Sequence, residues 1–259
     1  MVSARFFLVS VLCSSATLSA QNSLLDLSKP DHAEPAVTTP TPAPLSPEKR
    51  ADILMARKMY REAAEVYKQC PLDSAVIQNK IGIAYHQMMQ TDIAKRYYER
   101  AIKLDPNYAE AINNVGTIYY SRKSYRRATK LYQRALTLTP NSASIYSNLG
   151  TAFFARKNYK KAAEIYEKAL ALDPEVFEHR NSWGILLQER SVEERAKFHY
   201  YLAKTYAKAG MNERALTYIR KALEEGLTER KKMMEDPEFA SLRKLPEFQE
   251  LLTMEPRVL

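Results

Sequence analysis

Glycine is rare in this chain, yet four of its six glycines, Gly82, Gly116, Gly150 and Gly184, stand 34 residues apart. Other columns keep the same step: Ala94, Ala128 and Ala162; Tyr98, Tyr132 and Tyr166; Ala101, Ala135 and Ala169; and Pro106, Pro140 and Pro174. A fixed period of this length marks a solenoid in which each repeat is one helical hairpin that buries its apolar face on its neighbours. Gly or Ala at one place on each helix would let two backbones approach closely, while Tyr85, Tyr119 and Phe153 fill the layer between hairpins. Each proline follows a helix end and forbids its continuation. No segment alternates with period two over a useful length, so the expected fold class is all-α.

Taken together, these positions resemble the tetratricopeptide repeat family. The small residue of the first helix, the two alanines of the second and the closing proline agree in phase across three repeats, starting near Ala75, Ala109 and Ala143. The resemblance covers roughly residues 47–226 and implies a right-handed solenoid of about five helix-turn-helix repeats. It also implies that the first helix of each hairpin lines a concave groove, where asparagines often hydrogen-bond an extended peptide. The positions matching that lining are Asn79 and Lys80, Asn113 and Asn114, and Ser147 and Asn148, with His86, Tyr120 and Phe154 one turn further on. Asparagine is a poor helix former, so its recurrence inside first helices needs a reason. No set of lysines and arginines matches the family's clamp for C-terminal carboxylates.

The expected helix pairs run 75–88 with 92–104, 109–122 with 126–138, and 143–156 with 160–172. A shortened first repeat, marked by Leu54, Ala63 and Tyr67, opens at Ser46-Pro47-Glu48: a capping hydroxyl, a proline in the first position and an acid in the first turn. Beyond residue 174 two registers compete. Gly184, Ala196 and Tyr200 continue the period, whereas Tyr206, Gly210, Ala215, Ile219 and Ala222 fit a hairpin whose first helix is 192–208. The second register is preferred, because Ser191-Val192-Glu193-Glu194 reads as a capping box opening a new helix. Residues 177–190, with Phe177, Trp183 and Leu186, then become an insertion. From 227 to 259 the phase is lost, and Asp236-Pro237 and Leu245-Pro246 each look like a helix start; they are assigned to a C-terminal cap over the last repeat.

Residues 1–20 read as a secretory signal peptide. Arg5 precedes the apolar run Phe6 to Leu12, and small residues lead to a cleavage site after Ala16 or Ala20. The run is too short for a span, which needs about 20 apolar residues, and Leu12 stands where a lipoprotein signal before Cys13 wants a small residue. Residues 21–46, with Pro30, Pro35, Pro40, Pro42 and Pro44, read as an extended linker. The expected location is therefore exported, periplasmic or extracellular, in association with an envelope. Once the signal is removed, Cys70 is the remaining cysteine and reads as a small buried apolar residue.

No catalytic constellation is legible, so no enzyme is expected. His32, His86, His179 and His199 do not pair with Cys, Glu or one another at ligand spacing, and glycine-rich phosphate loops are absent; neither cofactor nor metal is expected. Charge is the second signal. Between Ala75 and Glu175 there are 16 Lys plus Arg against 8 Asp plus Glu, so most of the chain's +9 sits on the well-formed repeats. Arg122, Lys123, Arg126 and Arg127 cluster at one inter-helix turn, and Arg156, Lys157, Lys160 and Lys161 recur one repeat later, a basic ridge. The expected partner is another protein, a peptide or helix in the groove. The alternative is an anionic membrane or polysaccharide on the ridge. Nucleic acid is not expected, since no motif that reads it is present.

Overall fold

The computed structural model describes residues 44–178 and 191–253, and these form helices and turns without a strand. Four hairpins come first: α1 (Pro47–Ala56) with α2 (Tyr60–Tyr67), α3 (Ala75–Gln87) with α4 (Thr91–Leu104), α5 (Ala109–Ser121) with α6 (Tyr125–Leu138), and α7 (Ala143–Ala155) with α8 (Tyr159–Leu172). A last hairpin pairs α9 (Val192–Lys208) with α10 (Asn212–Glu224). Each helix packs on the one before it and the one after it, which is the contact pattern of a solenoid.

Local chemistry sets the ends. Oxygens of Ser46, Ser74, Ser142, Asn158 and Ser191 accept hydrogen bonds from backbone N–H groups three residues on, capping α1, α3, α7, α8 and α9. After α4 and α8 the chain bends at Asp-Pro, where the Asp105 carboxylate accepts from Asn107 N and Asp173 from Glu175 N, both at 2.9 Å. Arg134 then ties repeats together by donating to the Pro106 carbonyl at 2.7 Å, and Arg214 donates likewise to the Pro174 carbonyl.

The glycine column has a different cause from the one the sequence suggests. A Cβ on Gly82, Gly116 or Gly150 would lie 2.5, 2.7 or 2.4 Å from Cε1 of Tyr98, Tyr132 or Tyr166. Bare glycine thus makes room for an aromatic ring from the second helix of its own hairpin, rather than for another backbone. Two columns 16 residues apart are therefore one contact, and each of these tyrosines is at most 1% exposed. In the last hairpin Ala203 and Ile219 stand at the same offset, both fully buried: a larger floor meets a smaller lid.

Inside each hairpin the chain turns on a residue with positive φ: Lys58 (61°), Met89 (61°), Lys123 (58°), Lys157 (60°) and, in the last, Gly210 (75°). After α10, Gly226 (φ 89°) ends the helix. Then α11 (Arg230–Glu235), a 3-10 turn (Pro237–Phe239) and α12 (Pro246–Thr253) follow, with the turn on α9 and α12 on α10. Met233, Phe239, Leu242 and Phe248 are fully buried there, so these short elements cover the apolar end of the stack. Asp236-Pro237 starts a single 3-10 turn, and α11 precedes it where no helix start is legible. Phe177 is buried between the rings of Tyr166 and Tyr206, at 5.3 and 6.1 Å. Trp183, Gly184 and Leu186 of the expected insertion, the linker up to residue 43 and the signal segment lie outside the described residues. Cys70 is a free thiol, buried in the first hairpin.

Candidate functional site

The first helices α3, α5 and α7 are joined side by side by a directed chain of amides. Asn148 Nδ2 donates to Asn113 Oδ1 (3.1 Å), Asn113 Nδ2 to Asn114 Oδ1 (3.4 Å), and Asn114 Nδ2 to Asn79 Oδ1 (3.0 Å). Asn79 Nδ2 then donates to the Tyr108 hydroxyl (3.4 Å), which donates to Glu110 (3.0 Å). A run of donors ending on a carboxylate is mutually polarising, and each bond strengthens the next. This is the reason asparagine recurs here: each first helix is stitched to the previous one at an offset of 35 residues, one more than the period.

That finding changes the meaning of the expected groove residues. Asn79 and Asn148 are 1% and 8% exposed, and their amides serve the stack. Lys80 is held by Glu48 (2.8 Å) and Asp52 (2.8 Å) of α1, continuing the stitching toward the first hairpin. Tyr120 and Phe154 are 5% and 4% exposed, so they do not stand in the groove as open aromatic anchors. Tyr120 packs on the ring of Tyr125 at 5.2 Å, and Phe154 packs on Tyr159, Phe198 and Tyr201 at 5.1–5.9 Å, docking α9 onto α7. His86 is half-buried with Nδ1 3.3 Å from the Tyr98 hydroxyl, and burial depresses its pKa, favouring the neutral ring. Asn113 and Asn114 remain partly accessible.

What the first helices leave open is a column the sequence reading passed over. Val76, Glu110 and Ser144, again 34 residues apart, are each the second residue of a first helix and are each exposed. The signal that locates them is the same period that locates the glycines.

All eight ridge residues, Arg122, Lys123, Arg126, Arg127, Arg156, Lys157, Lys160 and Lys161, are exposed on the turn edge of the third and fourth hairpins. Arg122 is paired with Asp92 and Lys161 with Glu164. Arg127 lies over the ring of Tyr119 at 5.6 Å and Arg156 over Phe153 at 5.5 Å. Among the described residues no three His, Cys, Asp or Glu side chains converge in a way that could hold a metal ion.

A model of the tetratricopeptide repeat matches residues 73–141 and again 107–175. Uncharacterized protein ycf37 of Pyropia yezoensis is 42% identical over 40 residues, which is 15% of this chain and 22% of that protein. Its namesake in Porphyra purpurea is 41% identical over 49 residues, covering 18% and 28%. The chain thus spans less than a third of these relatives. Solved structures of MamA are similar at a low level. One is 22% identical and covers 70% of this chain and 95% of that chain at a TM-score of 0.46. MamA from Desulfovibrio magneticus RS-1 is 21% identical and covers 72% and 94% at 0.47. That likeness carries no argument about role. The phased columns, the stacked hairpins and the family match agree, and residues 73–175 of this chain are tetratricopeptide repeats.

Proposed function

We propose that this protein is a scaffold outside the cytoplasm that holds a segment of another protein on the face formed by its first helices, and so assembles or tethers an envelope complex. Tetratricopeptide repeats are typically protein-interaction modules, and the reading involves no catalytic step. The observation that carries it is the amide chain from Asn148 to Glu110. It fixes α3, α5 and α7 as one surface, so the exposed column Val76, Glu110 and Ser144 is presented at a constant spacing. A rigid, regularly spaced face loses little entropy on gripping an extended or helical segment. Export is supported by Arg5, the apolar run from Phe6 to Leu12 and the small residues up to Ala20.

The test uses the full chain in its native host. Fractionation with N-terminal sequencing should place it in the envelope with a start at Thr17 or Gln21; an intact Met1 in the cytoplasm would overturn the export. Tagged wild-type protein should retain a defined partner that Val76→Arg with Ser144→Arg loses while circular dichroism stays unchanged. Retention of the same partner by the double variant would refute use of this face.

A further inference from the structure

The turn edge carries a second surface with its own chemistry. Lys123, Ser124, Tyr125, Arg126, Arg127 and Arg156 line one open recess of about 690 Å³ between the turns of the third and fourth hairpins. Of the eight ridge cations, Lys123, Arg126, Arg127, Arg156, Lys157 and Lys160 have no carboxylate at ion-pair distance among the described residues, so their charge is not neutralised within the fold. The Ser124 hydroxyl is also free of the usual duty: it caps no N–H of α6, whereas Asn158 at the matching place accepts from Lys161 N at 3.2 Å.

The basic stretch is bounded. In the second hairpin the corresponding four positions are Met88, Met89, Asp92 and Ile93, and in the last they are Ala209, Gly210, Glu213 and Arg214; the first turn, with Arg57, Lys58, Arg61 and Glu62, is also basic but is separated from the recess by the second hairpin. The two basic turns of the third and fourth hairpins are successive, so their cations gather around one recess. Three guanidinium groups suit fork-like pairing with carboxylates, and the Ser124 hydroxyl beside them adds a neutral hydrogen bond.

We propose that this recess is a docking site for an acidic segment of a partner protein, a short run of Asp and Glu lying across the two turns. This goes beyond the first-helix face, uses none of its residues, and stands or falls separately from it. Aligned positive charge would also speed encounter with such a segment and make binding weaken as salt rises.

The experiment titrates a fluorescein-labelled octa-glutamate peptide with the full chain by fluorescence anisotropy at about 50 and 150 mM salt, within the range over which screening changes. Saturable binding is expected, with at least a tenfold loss in Arg126→Glu with Arg156→Glu and less than a threefold loss in Lys103→Glu with Lys130→Glu. The second pair makes the same charge change at exposed sites on α4 and α6. Equal losses in the two variants would reduce the effect to net charge and overturn the site. So would the absence of saturable peptide binding, whether or not phosphatidylglycerol vesicles bind in a ridge-dependent way; vesicle binding alone would assign the ridge to an anionic surface. Circular dichroism of both variants checks that the fold is intact.

Discussion

Gly150→Ala isolates the contact on which the repeat depends. The new Cβ would lie 2.4 Å from Tyr166 Cε1 and 2.5 Å from Cδ1. Ordinary carbon contacts are about 3.5–4.0 Å, so the ring must retreat by about 1 Å. It has little room: Tyr166 is fully buried, Phe177 and Phe198 flank it at 5.3 and 6.0 Å, and its hydroxyl is 3.2 Å from Thr151 Oγ1. Overpacking of this kind costs about 1–3 kcal/mol, and the size of the overlap places it in the upper part of that range. Alanine regains about 1 kcal/mol of helix propensity. The clash wins, and a net loss of about 1–2 kcal/mol should lower the melting temperature by roughly 3–6 °C. Ala51 holds the matching place beside Tyr67 in the first hairpin, where the tyrosine hydroxyl turns to Asp52, so alanine is tolerated where the ring can lie differently. The assay is a double-mutant cycle with Tyr166→Leu, read from urea midpoints by far-ultraviolet circular dichroism. With the ring gone, Gly150→Ala should become neutral or stabilising, giving a coupling of about 2–3 kcal/mol. A Gly150→Ala protein as stable as wild type with Tyr166 in place would mean that the ring does not exclude a side chain at this column.

Three other outcomes follow from the geometry. Met89→Gly should raise the melting temperature by a few degrees, because a non-glycine residue at φ 61° costs about 1 kcal/mol or more; a lower value would mean that the side chain matters more than the turn. Asn114→Ala should cost about 1–3 kcal/mol and destabilise the array, since it strands Asn79 Oδ1 in a site 1% exposed; near-wild-type stability would show that the amide chain is idle. Burial holds the His86 pKa below its usual 6.5, so as pH falls below 6.5 the unfolded chain takes up the proton first and stability is lost. Urea midpoints between pH 7.5 and 5 should therefore fall less in His86→Gln than in wild type; parallel curves would remove His86 from the acid response.

Much of this architecture is legible in the sequence, because a period reports which positions share an environment. The six helices between Ala75 and Leu172 begin and end within a residue or so of the expected bounds; Ser74, Ser142 and Asn158 cap three of the starts, and Pro106, Pro140 and Pro174 follow three of the ends. A period is silent about what each column faces. Gly150 and Tyr166 are separate columns in the sequence, and their contact becomes evident once the second helix is folded back on the first. The amide chain runs at an offset of 35, so a search at 34 misses it. Tyr120 and Phe154 looked like groove anchors, yet Tyr125 and Tyr159, five residues later, fold over them. Positive φ at Lys58, Met89, Lys123 and Lys157 carries no compositional mark, although Gly210 at the matching turn points to it. The polar hexamer Arg230–Glu235 forms a helix through Met233, which is fully buried, and nothing in its own pattern announces that.

On the proposed function, a partner chain lies along the first helices. Site-specific photo-crosslinking in the native host tests it directly, with a benzophenone amino acid at position 76 or 144 on the first helices and at position 100 or 130 on the second, all exposed sites. One discrete crosslinked species is expected from positions 76 and 144 and none from 100 and 130. A crosslink confined to positions 100 and 130, or none from any of the four, would contradict it.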